Sequence, residues 1–192
     1  MFTIDEIREN LAGAWMVMNG DADGLRRLDT SVEGFWRSFG AIILIVPVFV
    51  LSIMSEARLA QDIGDLPVQA LTVPVQSAIL MVDWMLFPGL MALVARPIGL
   101  AQQYVPFIVA RNWSAVLVNA IYAVPLLIYL AGLMPFLMMA LSTYIVLAAS
   151  GFFFYRIART TLAVSPGFAV GLVVADFGLS FLIRDIARAL VA

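Results

Sequence analysis

Two carboxylates interrupt stretches that are otherwise apolar: Asp83 in LMVDWMLF, residues 80–87, and Asp176 in VVADFGLS, residues 173–180. An ionised acid at the centre of a bilayer costs roughly 2.5–3.5 kcal/mol on insertion scales. Three arrangements reconcile such a residue with its surroundings. Desolvation keeps the acid neutral, so that it donates a hydrogen bond; two acids share one proton or one cation across a helix interface; or water reaches them through a cavity or pathway. No Arg is expected deep enough to neutralise either one.

Helical spacing supplies companions. Gln76 lies seven residues before Asp83 on its face, and Ser180 lies four residues after Asp176 on its face. Asn119 and Tyr144, together with Tyr122, Ser142 and Thr143, offer further polar groups at moderate depth. These suffice to satisfy two carboxylic acids by hydrogen bonding, which makes polar glue in a helix bundle the plainest role. A coupling or transport site is the second reading, and partner docking the third. Gly167 and Gly171 form a GxxxG pair continued by Ala175, a stripe that lets helices approach closely. It is expected to pack against another span of the same chain, with a second copy as the alternative.

The elements that must hold these residues follow from composition and length. The chain has 192 residues, 63% hydrophobic and 12% charged, where a soluble domain carries roughly 25% charged residues. That is too little polar surface for a globule in water, so a polytopic membrane protein is expected. Cys and His are both absent, which removes disulfides, thiolate zinc sites, catalytic thiols and histidine bases. With no catalytic motif around the two acids, no enzymatic activity, cofactor or metal site is expected. The eleven basic residues are all Arg and are scattered, so nucleic acid has no basic patch to bind.

From Asn112 to Tyr155 no residue is charged. As helix this run would extend about 66 Å, against a hydrocarbon core of about 30 Å, so it must cross twice. Gly132 and Pro135 mark the turn. The expected all-α bundle has five spans, at about 35–54, 73–95, 113–131, 135–155 and 166–183, the last with a helical extension to the C-terminus. Residues 97–110 are apolar but short and contain Gln102 and Gln103, which reads as an interfacial segment ending at Arg111. Trp36, Trp113 and Tyr155, near span ends, read as interfacial anchors.

Residues 1–34 read as an N-terminal amphipathic cytoplasmic segment ahead of the five-helix domain, 35–192. Thr3 and Glu6 have capping-box spacing, and Ile4, Ile7, Leu11, Ala14 and Met18 recur on one helical face. Its charged face carries Asp5, Glu6 and Glu9 against Arg8 alone, which favours docking on protein over gripping anionic headgroups. Asn19, Gly20 and Asp21 should break this helix, and Thr30 with Glu33 offers a second capping box. For orientation, Arg8, Arg26, Arg27, Arg37, Arg96, Arg111, Arg156 and Arg159 fall on one side and Arg58, Arg184 and Arg188 on the other. The excess places the N-terminus in the cytoplasm and the C-terminus in the periplasm of a bacterial inner membrane.

The segments DEIRENLAGAW, DTSVEGFWRSF and QQYVPFIVARNWSAVL resemble recurring segments of a small inner-membrane protein family of alphaproteobacteria, sometimes labelled a transporter. More loosely, five spans after a cytoplasmic N-terminus are similar to the Yip1 superfamily, whose eukaryotic members act in membrane trafficking. Neither resemblance brings a catalytic motif. The expected function is therefore that of a non-enzymatic interaction or accessory subunit of a membrane assembly. Its partners would be the lipid bilayer and other membrane proteins or a second copy. The alternative is a small transporter or channel component in which Asp83 and Asp176 bind a proton or cation.

Overall fold

The computed structural model describes residues 2–63 and 71–191, and these are all-helical. Helix α1 (Ile4–Met18) leads through a short 3₁₀ turn (Ala22–Arg26) to α2 (Val32–Phe39) and α3 (Ile42–Ile63). Then come α4 (Val73–Ala95), α5 (Tyr104–Leu130), α6 (Phe136–Leu162) and α7 (Pro166–Val191). Five helical stretches are long and apolar enough to cross a membrane: Val32–Asp62, Val73–Ala95, Tyr104–Leu130, Phe136–Leu162 and Pro166–Leu190.

The expected caps are present in part. Glu6 N–H donates to Thr3 Oγ1 at 3.2 Å and Thr3 N–H donates to Glu6 Oε2 at 2.8 Å, closing the first capping box. The helix ends at Asn19, and Gly20 takes φ +80°, a left-handed conformation that glycine adopts without penalty. The second cap moves by one residue. Ser31, not Thr30, caps α2 by accepting from Gly34 N–H at 3.0 Å, so no second capping box forms. Between α5 and α6, Gly132 is left-handed (φ +77°) and Pro135 is the N-cap, where a missing N–H costs nothing.

Three boundaries differ from the sequence reading. The first span is interrupted at Gly40 and Ala41, and α3 runs on nine residues beyond Met54. The fourth span continues past Tyr155 to Leu162. The third span begins at Tyr104, so residues 104–110 are the first two turns of α5 and not a separate interfacial segment. The sequence places Arg111 at a membrane face, where charges normally sit. It instead lies seven residues inside the helix, where the fold supplies it with a partner.

Helix α5 is the hub, touching α1, α2, α3, α4 and α6, whereas α7 rests on α4 and α6. At one end of the bundle Ala14, Val17, Met18 and Leu28 join Phe107, Ile108 and Trp113 of α5 and Phe154 and Ile157 of α6 in one buried cluster. At the other end Val48, Leu126, Tyr129 and Met139 form a smaller one. Trp113 is therefore no interfacial anchor: it is buried, edge-to-face with Phe2 at 5.3 Å. Trp36 is exposed.

Polar contacts fasten α1 over its end of the bundle. Arg37 of α2 pairs with Glu6, Arg27 pairs with Glu9 at 3.5 Å, and Arg156 of α6 donates to the Asn19 carbonyl. The Arg37 guanidinium, and next the Thr3 N–H, hold the Glu6 carboxyl well below its ordinary 4.5, at about 2.

Candidate functional site

Helix α7 sets the frame of the site. Asp176, Ser180 and Arg184 recur every four residues, so their side chains climb one face over about 12 Å. Opposite them α4 presents Asp83, and α5 presents Arg111, Ser114 and Asn119. The helices enclose a cleft of about 280 Å³, walled by Trp84, Phe153, Phe154 and Phe177. A water occupies about 30 Å³ of liquid volume, so the cleft has room for a cluster of waters or a small solute.

Arg111 is the residue that reading the sequence missed. Its Nη2 donates to Asp176 Oδ1 at 2.7 Å, with the two side chains only 13% and 16% exposed. Its guanidinium lies 4.9 Å from the centre of the Phe87 ring and 5.9 Å from that of Phe154. Aromatic faces attract a cation, by about 0.5 kcal/mol when exposed and about 2 kcal/mol when desolvated. The expectation that no Arg could neutralise an intramembrane acid is thus corrected for Asp176. The available signal was the uninterrupted apolar run from Val105 to Ala110, which continues the pattern of the third span back to the two glutamines.

Asp83 has a different companion. Ser180 Oγ donates to Asp83 Oδ1 at 2.6 Å and lies 3.1 Å from the Asp176 carbonyl oxygen, one turn back on α7. One hydroxyl thus connects the Asp83 side chain to the backbone of Asp176. Ser114, one turn along α5 from Arg111, is buried with its hydroxyl unpartnered. Arg184, exposed at the far end of the cleft, makes no ion pair among the described residues.

The remaining sequence candidates divide. Asn119 lines the cleft and donates to the Ala115 carbonyl at 2.9 Å. Gln76 lies away from it, its amide donating to Glu56 at 2.9 Å and to the Leu71 carbonyl at 2.8 Å. Tyr144 is 68% exposed on α6 and takes no part in the cleft. Gly167 and Gly171 do not pack against another span: a Cβ added at either meets nothing within 4 Å. Close approach between α6 and α7 occurs instead at Gly151, where a Cβ would lie 3.0 Å from the Phe177 ring. Spacing showed a smooth helix stripe but not what stood opposite it.

The arrangement gathers two cations and two anions within one groove of an otherwise apolar bundle. No histidine or cysteine is present and no cluster of three acids occurs among the described residues. What the groove offers is charged and hydrogen-bonding side chains that can bind a charged or polar group. No family description, curated protein or solved structure matches this chain.

Proposed function

We propose that this chain is a multi-pass inner-membrane protein, non-enzymatic, whose bundle binds a small polar solute in the α4–α7 cleft as a transporter or transport component. The observation that carries this reading is the Arg111–Asp176 pair beside Asp83 in a cleft of about 280 Å³. Charged groups in a groove left to acyl chains would be costly, so water or a ligand must accompany them. Of the two acids, Asp83 is the one open to a proton or cation. Asp176 already has a guanidinium, which any cation would have to displace, whereas the partner of Asp83 is a neutral hydroxyl.

The absence of cysteine makes the test clean. Val118→Cys and Ser150→Cys report on the cleft, and Ile145→Cys reports on the outer face of α6, where that residue is 70% exposed. In proteoliposomes a charged, membrane-impermeant methanethiosulfonate should label the first two and spare the third. Equal inertness of all three would end the reading.

A specific observation favours a second role, that of an accessory subunit in a membrane assembly. The open stripe around Gly167 and Gly171 leaves α7 smooth on a side where, among the described residues, no other helix stands. Native mass spectrometry from a gentle extract tests this, and a lone monomer counts against it.

A further inference from the structure

Resting on the solute-binding reading, we infer that the cleft is built for a small zwitterion, with a carboxylate received by Arg111 and Ser114 and an ammonium received by Asp83. Arg111 spends one donor on Asp176, through Nη2 alone. A guanidinium has five donors in a fork that matches a carboxylate, so most of its capacity remains. The Ser114 hydroxyl, buried and without a partner one turn further along α5, adds a donor beside it. Together these form one pole.

Asp83 supplies the other. Its Oδ1 accepts from Ser180 while Oδ2 accepts from no described residue, whereas Asp176 is already held by Arg111. An ammonium has three donors to offer such oxygens.

Charge balance selects against simpler ligands. Arg111 and Arg184 against Asp83 and Asp176 leave the lining neutral overall. A lone anion on Arg111 would add a negative charge next to two carboxylates, and a lone cation at Asp83 would add a positive charge near Arg111. A dipolar molecule that is neutral as a whole adds neither excess and pairs with both poles. The aromatic walls suit a short apolar substituent between the poles, and about 280 Å³ accommodates a solute of amino-acid size.

The test uses the full chain in proteoliposomes with Val118→Cys as the reporter, and L-leucine as the probe. 4-Methylpentanoate carries its carboxylate alone and isoamylamine its ammonium alone. L-leucine should slow labelling of the reporter at concentrations about tenfold below those needed by either single-charge analogue, the factor expected for one charge-assisted hydrogen bond. Arg111→Lys, which keeps the charge but loses the fork, should weaken protection by L-leucine more than by isoamylamine. Asp83→Asn should bring L-leucine down to the level of 4-methylpentanoate. Protection by 4-methylpentanoate or isoamylamine equal to that by L-leucine would overturn the zwitterion. A reporter that labels readily yet is protected by none of the three also sinks this inference while leaving the hydrated cleft standing. A reporter that does not label sinks both.

Discussion

Arg111 holds Asp176 at 2.7 Å between two phenylalanine rings, and the energetic value of that pair depends on how wet the cleft is. Removing one partner of a sealed ion pair costs about 3–5 kcal/mol, because the other charge is left buried, whereas an exposed pair contributes about 0–1 kcal/mol. With 13% and 16% exposure and a cleft roomy enough for water, Asp176→Asn should destabilise by about 2–3 kcal/mol. Unfolding by a denaturing detergent in micelles measures this. The double variant Arg111→Gln with Asp176→Asn should recover most of the loss, since neither charge is stranded. Equal stability of single and double variants would show that the two side chains are not an energetic unit. Asp83 and Asp176 were identifiable from residue type and depth, but the cation was not. Its carboxylate partner is 65 positions away, and no local pattern encodes that distance.

Helix α1 is fastened to the bundle by charge as well as by its buried face, which makes its attachment dependent on acidity. The folded Glu6 carboxyl titrates at about 2, lowered from 4.5 chiefly by Arg37 and then by the Thr3 N–H. A depressed carboxylate stabilises the folded arrangement above its unfolded value, and the contribution fades as pH falls through the folded one. Between about pH 4.5 and pH 2, α1 should therefore loosen, and buried Met18, replaced by Cys, should become open to a dipyridyl disulfide, a reagent that still reacts with thiols in acid. Glu6→Gln should flatten that dependence; an unchanged acid profile in this variant would assign the release to another group. Packing between α6 and α7 gives a second contrast. Gly151→Val drives its side chain into Phe177 and should cost about 1–3 kcal/mol by overpacking, while Gly171→Val meets open space and should be near neutral in a monomer. If thermal unfolding finds Gly171→Val the costlier change, a second copy or a partner occupies that face. Element boundaries were readable where chemistry marks them locally, as at Thr3, Gly20, Gly132 and Pro135. They were missed where a charge or an aromatic was assigned to the membrane face by habit, as at Arg111 and Trp113, since tertiary partners decide how deep such residues sit.

At the scale of the whole molecule, orientation follows from which arginines flank the spans. Arg111, buried against Asp176 in the cleft, no longer counts as a flanking residue. That leaves Arg8, Arg26, Arg27, Arg37, Arg96, Arg156 and Arg159 at the end bearing α1, against Arg58, Arg184 and Arg188 at the other. The excess keeps its sign. Several of these arginines are engaged in the folded chain, Arg27 and Arg37 with acids of α1 and Arg156 with Asn19. Insertion precedes that folding, so their charges still act on orientation. We propose on this count a cytoplasmic N-terminus, from which five spans would put the end of α7 outside. An alkaline phosphatase fused after residue 192 should be active, and a fluorescent reporter that matures only in the cytoplasm should stay dark there. The reverse pattern would turn the bundle over, leaving the cleft intact but opening Arg184 toward the cytoplasm and Arg111 toward the periplasm. Because Arg96 joins Arg156 and Arg159 in flanking the same side, replacing any one of these three should not invert the protein. Replacing all three should yield mixed orientations that the same pair of reporters detects.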